Sequence, residues 1–146
     1  MPGMLEGRVA VVTGAGRGIG ASVARRFAGE GALVVVNDLG SSLDGTGQDK
    51  SPALEVVDQV NREGGVAIAS ADDVSDFSAA ASLVRQAVDT FGRLDVVVNG
   101  AGILPDRMIF NMSEAEWDAV IRVHLKGSFN MSHHAAAYWR EQRTGW

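Results

Sequence analysis

Cysteine is absent from the 146 residues, which excludes disulfides, thiolate nucleophiles and cysteine-held metal sites. Histidine is scarce: His124, His133 and His134 are the only ones, and no carboxylate is spaced with them as in the zinc-hydrolase helix motif. No metal site is therefore expected. Lysine is nearly missing, with Lys50 and Lys126 alone, and Tyr138 is the single tyrosine. Positive charge is in deficit, and the net charge of −5 argues against a nucleic-acid partner, which needs a basic patch or stripe. No apolar run approaches the ~18 residues of a membrane span. A signal peptide is not expected either, because Glu6 and Arg8 precede only the short apolar stretch Val9 to Val12. The ending Arg143-Thr144-Gly145-Trp146 matches no lipid-anchor or peroxisomal address. A cytoplasmic protein without a membrane partner is the expectation.

What is present is alternation. Val9 to Val12 form a short apolar run ending at Thr13, and a glycine-rich turn follows. Ile19, Val23 and Phe27 then recur at helical spacing, with Gly31 as the left-handed stop. Leu33 to Val36 is an unbroken β-branched run, the pattern of a strand buried on both faces. A polar loop from Leu39 to Lys50 is long enough to read as functional. Ser51 as cap and Pro52 in the first turn restart a helix that Gly64-Gly65 stops. A third strand covers Val66 to Ala69, and Asp72 to Ser75 make a polar turn. Phe77, Ala81, Val84, Val88 and Phe91 mark a third helix ended by Gly92, and a fourth strand spans Leu94 to Val98. Ser113 and Glu116 have capping-box spacing. Trp117, Val120, Ile121, Leu125 and Phe129 carry the last helix toward Tyr138.

Strands alternating with helices imply parallel pairing through right-handed crossovers. The fold class is α/β, a Rossmann-type doubly wound parallel sheet, with residues 1–146 as one dinucleotide-binding domain.

The chemistry is carried by Thr13-Gly14-Ala15-Gly16-Arg17-Gly18-Ile19-Gly20, between the first strand and the first helix. Glycines there permit the tight turn, admit a pyrophosphate and let helix and strand pack closely. The helix start presents unpaired N–H groups and a positive dipole end to the anion. A glycine turn without a ligand is the structural alternative; the strand–turn–helix context favours the nucleotide. The phosphate loop of nucleoside triphosphatases is excluded because the segment has no lysine. Asp38 follows the second strand at about the 20-residue interval that suits a bond to the adenosine ribose hydroxyls. It would repel a 2′-phosphate, so NAD is favoured over NADP. Arg17 pulls the other way, and NADP stays open.

These motifs resemble the short-chain dehydrogenases/reductases. The family's T-G-x-x-x-G-x-G signature appears as Thr13, Gly14, Gly18 and Gly20, and its acidic-Val turn after the third strand as Asp73-Val74. Its N-N-A-G motif appears as Asn99-Gly100-Ala101-Gly102. Within the family, Val36 to Gly40, Ala101 to Leu104 and Arg122 to Phe129 look like the (3R)-hydroxyacyl-CoA dehydrogenase unit of peroxisomal multifunctional enzymes and its bacterial relatives. The resemblance implies an oxidoreductase that moves hydride between a nicotinamide cofactor and a secondary alcohol or ketone, with a lipid-like hydroxyacyl-CoA or hydroxysteroid as substrate. It implies cofactor contacts from Thr13, Gly14, Gly16, Arg17, Gly18, Ile19, Gly20, Asp38, Asp73, Val74, Asn99, Ala101 and Gly102. It further implies the strand order 3-2-1-4 and a homo-oligomer paired through the last helix.

Two departures stand out. Gly100 replaces an Asn, which should loosen the backbone after the fourth strand. His124 stands where many members place the Asn that supports a proton-relay water; a packed helix histidine is an equal reading. The family's Ser, Tyr and Lys are not identifiable. Tyr138 has Gln142 where the Lys belongs, and both lysines lie upstream. A tyrosine near its ordinary pKa of ~10 is a poor base without that cation. The expectation is thus the N-terminal part of a longer domain, ending after about four strands with an open apolar edge at Val96 to Val98, and without activity by itself. The alternatives are a non-catalytic dinucleotide-binding fragment, the product of a truncated gene, or an interaction scaffold that binds no nucleotide.

Overall fold

In the computed structural model, which describes residues 1–42 and 44–143, the valine-rich runs are strands. Leu43, in the polar loop, and Thr144 to Trp146, in the stretch read for a terminal address, lie outside the described residues. The order is β1 (Val9–Thr13), α1 (Gly18–Gly29), β2 (Leu33–Asn37), α2 (Ser51–Arg62), β3 (Val66–Ser70), α3 (Phe77–Phe91) and β4 (Val96–Val98). A single 3-10 turn (Ile109–Asn111) then leads into α4 (Glu114–Val120), a widened π turn (Ile121–Lys126) and α5 (Gly127–Gln142). All pairings are parallel, and the strand order is β3-β2-β1-β4, as the resemblance implies.

The two-sided burial follows from alternation along each strand. Val12, Val34 and Val36 face α1 and α2; Val9, Val11 and Val35 face α3 and α5. These six valines have no solvent exposure, and burying each stabilises the fold by about 1.5–3 kcal/mol. Register aligns the strand ends. Val12 pairs with Val36 and Val98, and Val36 pairs with Ala69, so Thr13, Asn37, Ser70 and Asn99 finish along one edge. In open α/β sheets the ligand crevice lies outside the carboxyl ends of the strands, where the order reverses. Here that is the gap beyond β1 and β4.

Several helical faces differ from the expected stripes. The buried face of α1 is Gly20, Ala21, Ala24 and Ala28, whereas Ile19 is 84% exposed. Small side chains bring α1 close to the sheet, while Val23 and Phe27 of the expected stripe pack half-buried against the same core. On α3 the fully buried residues are Ala80, Leu83, Val84 and Ala87; of the expected stripe, Val84 is among them, Val88 and Phe91 pack half-buried against the same core, and Phe77 is exposed. The largest difference is in the last helical rod. Trp117, Ile121, Leu125 and Phe129 share an exposed face, and α5 buries Gly127, Asn130, Met131 and Ala135 instead. Ser51 is the first helical residue of α2 and not its cap; its N–H donates to Asp49 Oδ1 at 2.9 Å. The left-handed stops are as expected, with φ +90 at Gly31, +88 at Gly64 and +83 at Gly92. β4 is shorter than expected, and its three valines at the sheet edge are half-buried. Among the described residues, no helix is long and apolar enough to cross a membrane.

The opposite end of the sheet is tied by one carboxylate. Asp95 accepts from the Val9 N–H at 2.9 Å, from Arg93 Nε at 2.8 Å and from Arg8 at 3.2 Å. Burial raises its carboxyl pKa, and the bonds from Arg93, Val9 and Arg8 outweigh that, leaving it below the usual value. A carboxyl held low when folded stabilises the fold above its unfolded pKa, and that contribution disappears as pH falls through the folded value. Asp95→Asn should cost about 1–2 kcal/mol at neutral pH in urea unfolding. The gap to the wild type should narrow at acid pH, below the ordinary Asp value; a gap independent of pH would contradict the assignment.

Candidate functional site: a groove at the strand ends

Three backbone segments meet at the end of β1 with no room for side chains. A Cβ on Gly14 would lie 2.5 Å from Gly100 O and 2.7 Å from Ala101 Cα. One on Gly20 would lie 2.1 Å from Gly14 O, and one on Gly100 would lie 2.6 Å from Thr13 O. Gly100 therefore does not loosen the loop after β4, as its sequence context implied. It lets that loop press against β1.

The Thr13 side chain stitches the junction together. Its Oγ1 accepts from the Gly100 and Ala101 N–H groups, each at 3.1 Å, and donates to Val98 O at 3.3 Å. Thr13 is 1% exposed, so it stands behind the groove and holds its floor.

The groove encloses about 280 Å³. Gly14, Arg17, Gly18, Asp38, Asp73, Val74, Ala101 and Gly102 line it, all of them named from the sequence. The remaining candidates lie around it. Gly16 donates its N–H to Asp38, Gly20 is buried at the helix–strand contact, and Ile19 projects outward from the first turn of α1. Asn99 is exposed, and its Nδ2 donates to Ser132 Oγ at 3.4 Å. The lining also includes Ser41, Ser42, Gly45, Arg122 and Val123, none of which the sequence had singled out as a cofactor contact. The length of the polar loop pointed to the first three. Arg122 and Val123, in the stretch that carries the narrower resemblance, enter through the π turn.

The groove's electrostatics suit an anion at one place. The N-terminus of α1 has no side-chain cap, with Arg17 at the cap position, and its first turn carries no acidic residue. Its N–H groups and the positive end of the helix dipole are thus available to a phosphate. Gly14 and Gly18 adopt φ +63 and +55, which turns the loop around that point. Asp38 closes the loop from below: Oδ2 accepts from the Gly16 N–H at 2.8 Å and Oδ1 from the Gly40 N–H at 2.7 Å.

The next turn is pinned from the sheet. Asn37, 1% exposed, donates to Ser70 Oγ at 3.1 Å and to Asp72 O at 3.0 Å. Asp73 Oδ1 accepts from Ser75 N at 2.9 Å and Ser75 Oγ at 2.7 Å.

His124 sits in the π turn with its ring over Gly102, where a Cβ would come within 2.7 Å of Cε1. Nε2 lies 2.8 Å from Ile103 O and 3.1 Å from Ile103 N. A protonated Nε2 donates to that carbonyl; a bare one accepts from that amide. In either tautomer His124 ties the helical rod to the loop after β4. Ser128 Oγ donates to His124 O at 2.7 Å and satisfies a carbonyl in the widened turn. Tyr138 is half-buried against the α3–α5 core, and Gln142 is exposed. Among the described residues, no group of three or more His, Asp or Glu is placed to hold a metal ion.

Thr13→Val should cost about 1–3 kcal/mol in chemical denaturation, because it strands the Ala101 amide and leaves the Gly100 amide only its bond to Val98 O. Thr13→Ser keeps the hydroxyl and should recover most of that loss. Equal destabilisation by both substitutions would contradict the stitching role.

Residues 8–146 match the family described as short chain dehydrogenase. The chain is 48% identical over 144 residues to peroxisomal multifunctional enzyme type 2 of Mus musculus, covering 99% of this chain and 19% of that protein. It is 49% identical over 142 residues to hydroxyacyl-CoA dehydrogenase ChsB1 of Mycobacterium tuberculosis, covering 94% and 42%. A crystal structure of a short chain dehydrogenase from Mycobacterium avium superposes with a TM-score of 0.89 at 55% identity, covering 97% of this chain and 49% of that one. The chain thus spans about half the length of that solved relative and a smaller share of the two others. Motifs, strand order, glycine junction and family match agree, and the chain belongs to the short-chain dehydrogenases.

Proposed function

We propose that this chain is the dinucleotide-holding part of an oxidoreductase that uses NAD(H) on a secondary alcohol or ketone, of the hydroxyacyl-CoA class. The observation that carries the cofactor reading is the uncapped start of α1, opening into a groove that ends at the Asp38 carboxylate. When bound, the nicotinamide supplies or takes up the hydride.

The chain's own residues bind and orient. The Gly14 to Gly20 loop gives N–H donors to the pyrophosphate. Asp38 accepts from the adenosine ribose hydroxyls while still bracing the loop through Gly16 and Gly40. The Asp73-Val74 turn forms the adenine wall. Asn99 to Gly102, braced by Thr13 and His124, border the nicotinamide end. Asp38 favours NAD because a second anion beside its carboxylate is repelled.

The substrate class draws support from the loop after β4. Ile103 lines the groove, and Leu104 and the run Met108, Ile109 and Phe110 that follows it in the same loop are 64–77% exposed. An apolar ledge of this kind suits an acyl chain. It agrees with the hydroxyacyl-CoA activity named for the mycobacterial relative.

Calorimetric titration with NADH and NADPH tests the cofactor assignment. NADH should bind more tightly, and Asp38→Asn should shift the NADH-to-NADPH affinity ratio toward NADPH by on the order of tenfold. Tighter NADPH binding by the wild type would contradict the NAD assignment. No binding of either would contradict the dinucleotide reading.

A further inference from the structure

Asn130 is a polar side chain in an apolar place. It lies on the inner face of α5 with 0% exposure, beside Met131 and above the core that α5 shares with α3. Its Nδ2 donates to Val74 O at 2.8 Å, and its Oδ1 has no partner among the described residues. Swapping the two amide atoms would set one acceptor against another, so the nitrogen faces Val74. A buried amide with one end unmatched is costly to keep. That cost singles out the bond to Val74 as the purpose of the side chain.

Val74 also packs tightly against α5 at a second point. Gly127 precedes Asn130 by one turn on the same helical face. A Cβ there would lie 3.0 Å from Val74 Cγ2. Gly127 makes the seat, and Asn130 holds the carbonyl. The rest of this turn is fastened from other directions: Asp72 O by Asn37, and Ser75 by the Asp73 carboxylate. Val74, 6% exposed and on the groove wall, is fastened from α5.

We propose that Asn130 is a positioning residue for the adenosine end of the dinucleotide. Through the Val74 carbonyl it fixes the depth of the turn that forms the adenine wall, with Gly127 as the spacer that sets the contact. It leaves the pyrophosphate loop untouched, because that loop is braced by Asp38 on the far side of the sheet end. The proposal rests on the dinucleotide reading given above.

The test separates the two ends of the groove with small probes. AMP reports the adenosine end, inorganic pyrophosphate reports the glycine loop, and NADH reports both. Each is titrated into the wild type, Asn130→Ala and Gly127→Ala, with circular dichroism confirming that each variant is folded. Asn130→Ala should weaken AMP and NADH by about tenfold and leave pyrophosphate unchanged. Gly127→Ala carries the test if Asn130→Ala fails to fold, since alanine strengthens a helix interior relative to glycine. It should weaken AMP in the same direction without lowering the melting temperature. Wild-type AMP affinity in either folded variant overturns the proposal, as does a parallel fall in AMP and pyrophosphate. A wild type that binds neither AMP nor NADH overturns the dinucleotide reading itself, and this proposal with it.

Discussion

The end of β1 is where this structure has no slack. The backbones of the strand, the first helix and the loop after β4 meet at distances that leave no space for a Cβ on Gly14, Gly20 or Gly100. The glycine pattern is usually read for what it allows a ligand to do. Here it also decides the architecture. Without Gly20 the helix stands off the strand, and the alanine face of α1 loses its contact. Without Gly100 the loop after β4 cannot reach Thr13. The groove is the space left over when these three segments are forced together.

Charge then divides the labour within the groove. The chain is acidic overall, at −5, yet the start of α1 is free of acidic residues. The nearest carboxylate, Asp38, already faces two N–H groups of the surrounding loops. A carboxylate held this way is an organised acceptor before any ligand arrives, which lowers the cost of ordering the loop on binding. The same group discriminates against an added phosphate. Bracing and selection thus reside in one side chain, and substitutions there affect both.

The sequence made the strands, the parallel order and most of the groove legible. β-branched runs such as Leu33 to Val36 are unambiguous, and glycine and Asp positions at strand ends carry their own geometry. Helix faces were harder to read. On α1 the bulky stripe is only half right: Val23 and Phe27 pack at the margin of the core and Ile19 points out, while Ala21, Ala24 and Ala28 take the buried centre because a doubly wound fold brings this helix close. The stripe Trp117, Ile121, Leu125 and Phe129 is regular, and it lies outside. Periodicity locates a face without saying what covers it. The π turn was invisible, since its visible tie, His124 to the Ile103 peptide, joins residues 21 positions apart. Asn130 was equally hidden, because its meaning depends on a carbonyl 56 positions away.

The central claim is that the carboxyl ends of the four strands form one dinucleotide site. Backbone amide NMR of the chain during titration with NADH tests it most directly. The account predicts saturable shifts confined to Gly14 to Gly20, Asp38 to Gly45, Asp72 to Ser75 and Asn99 to Ile103, with the far edge around Asp95 unmoved. Shifts centred elsewhere, or none at saturating NADH, would contradict it.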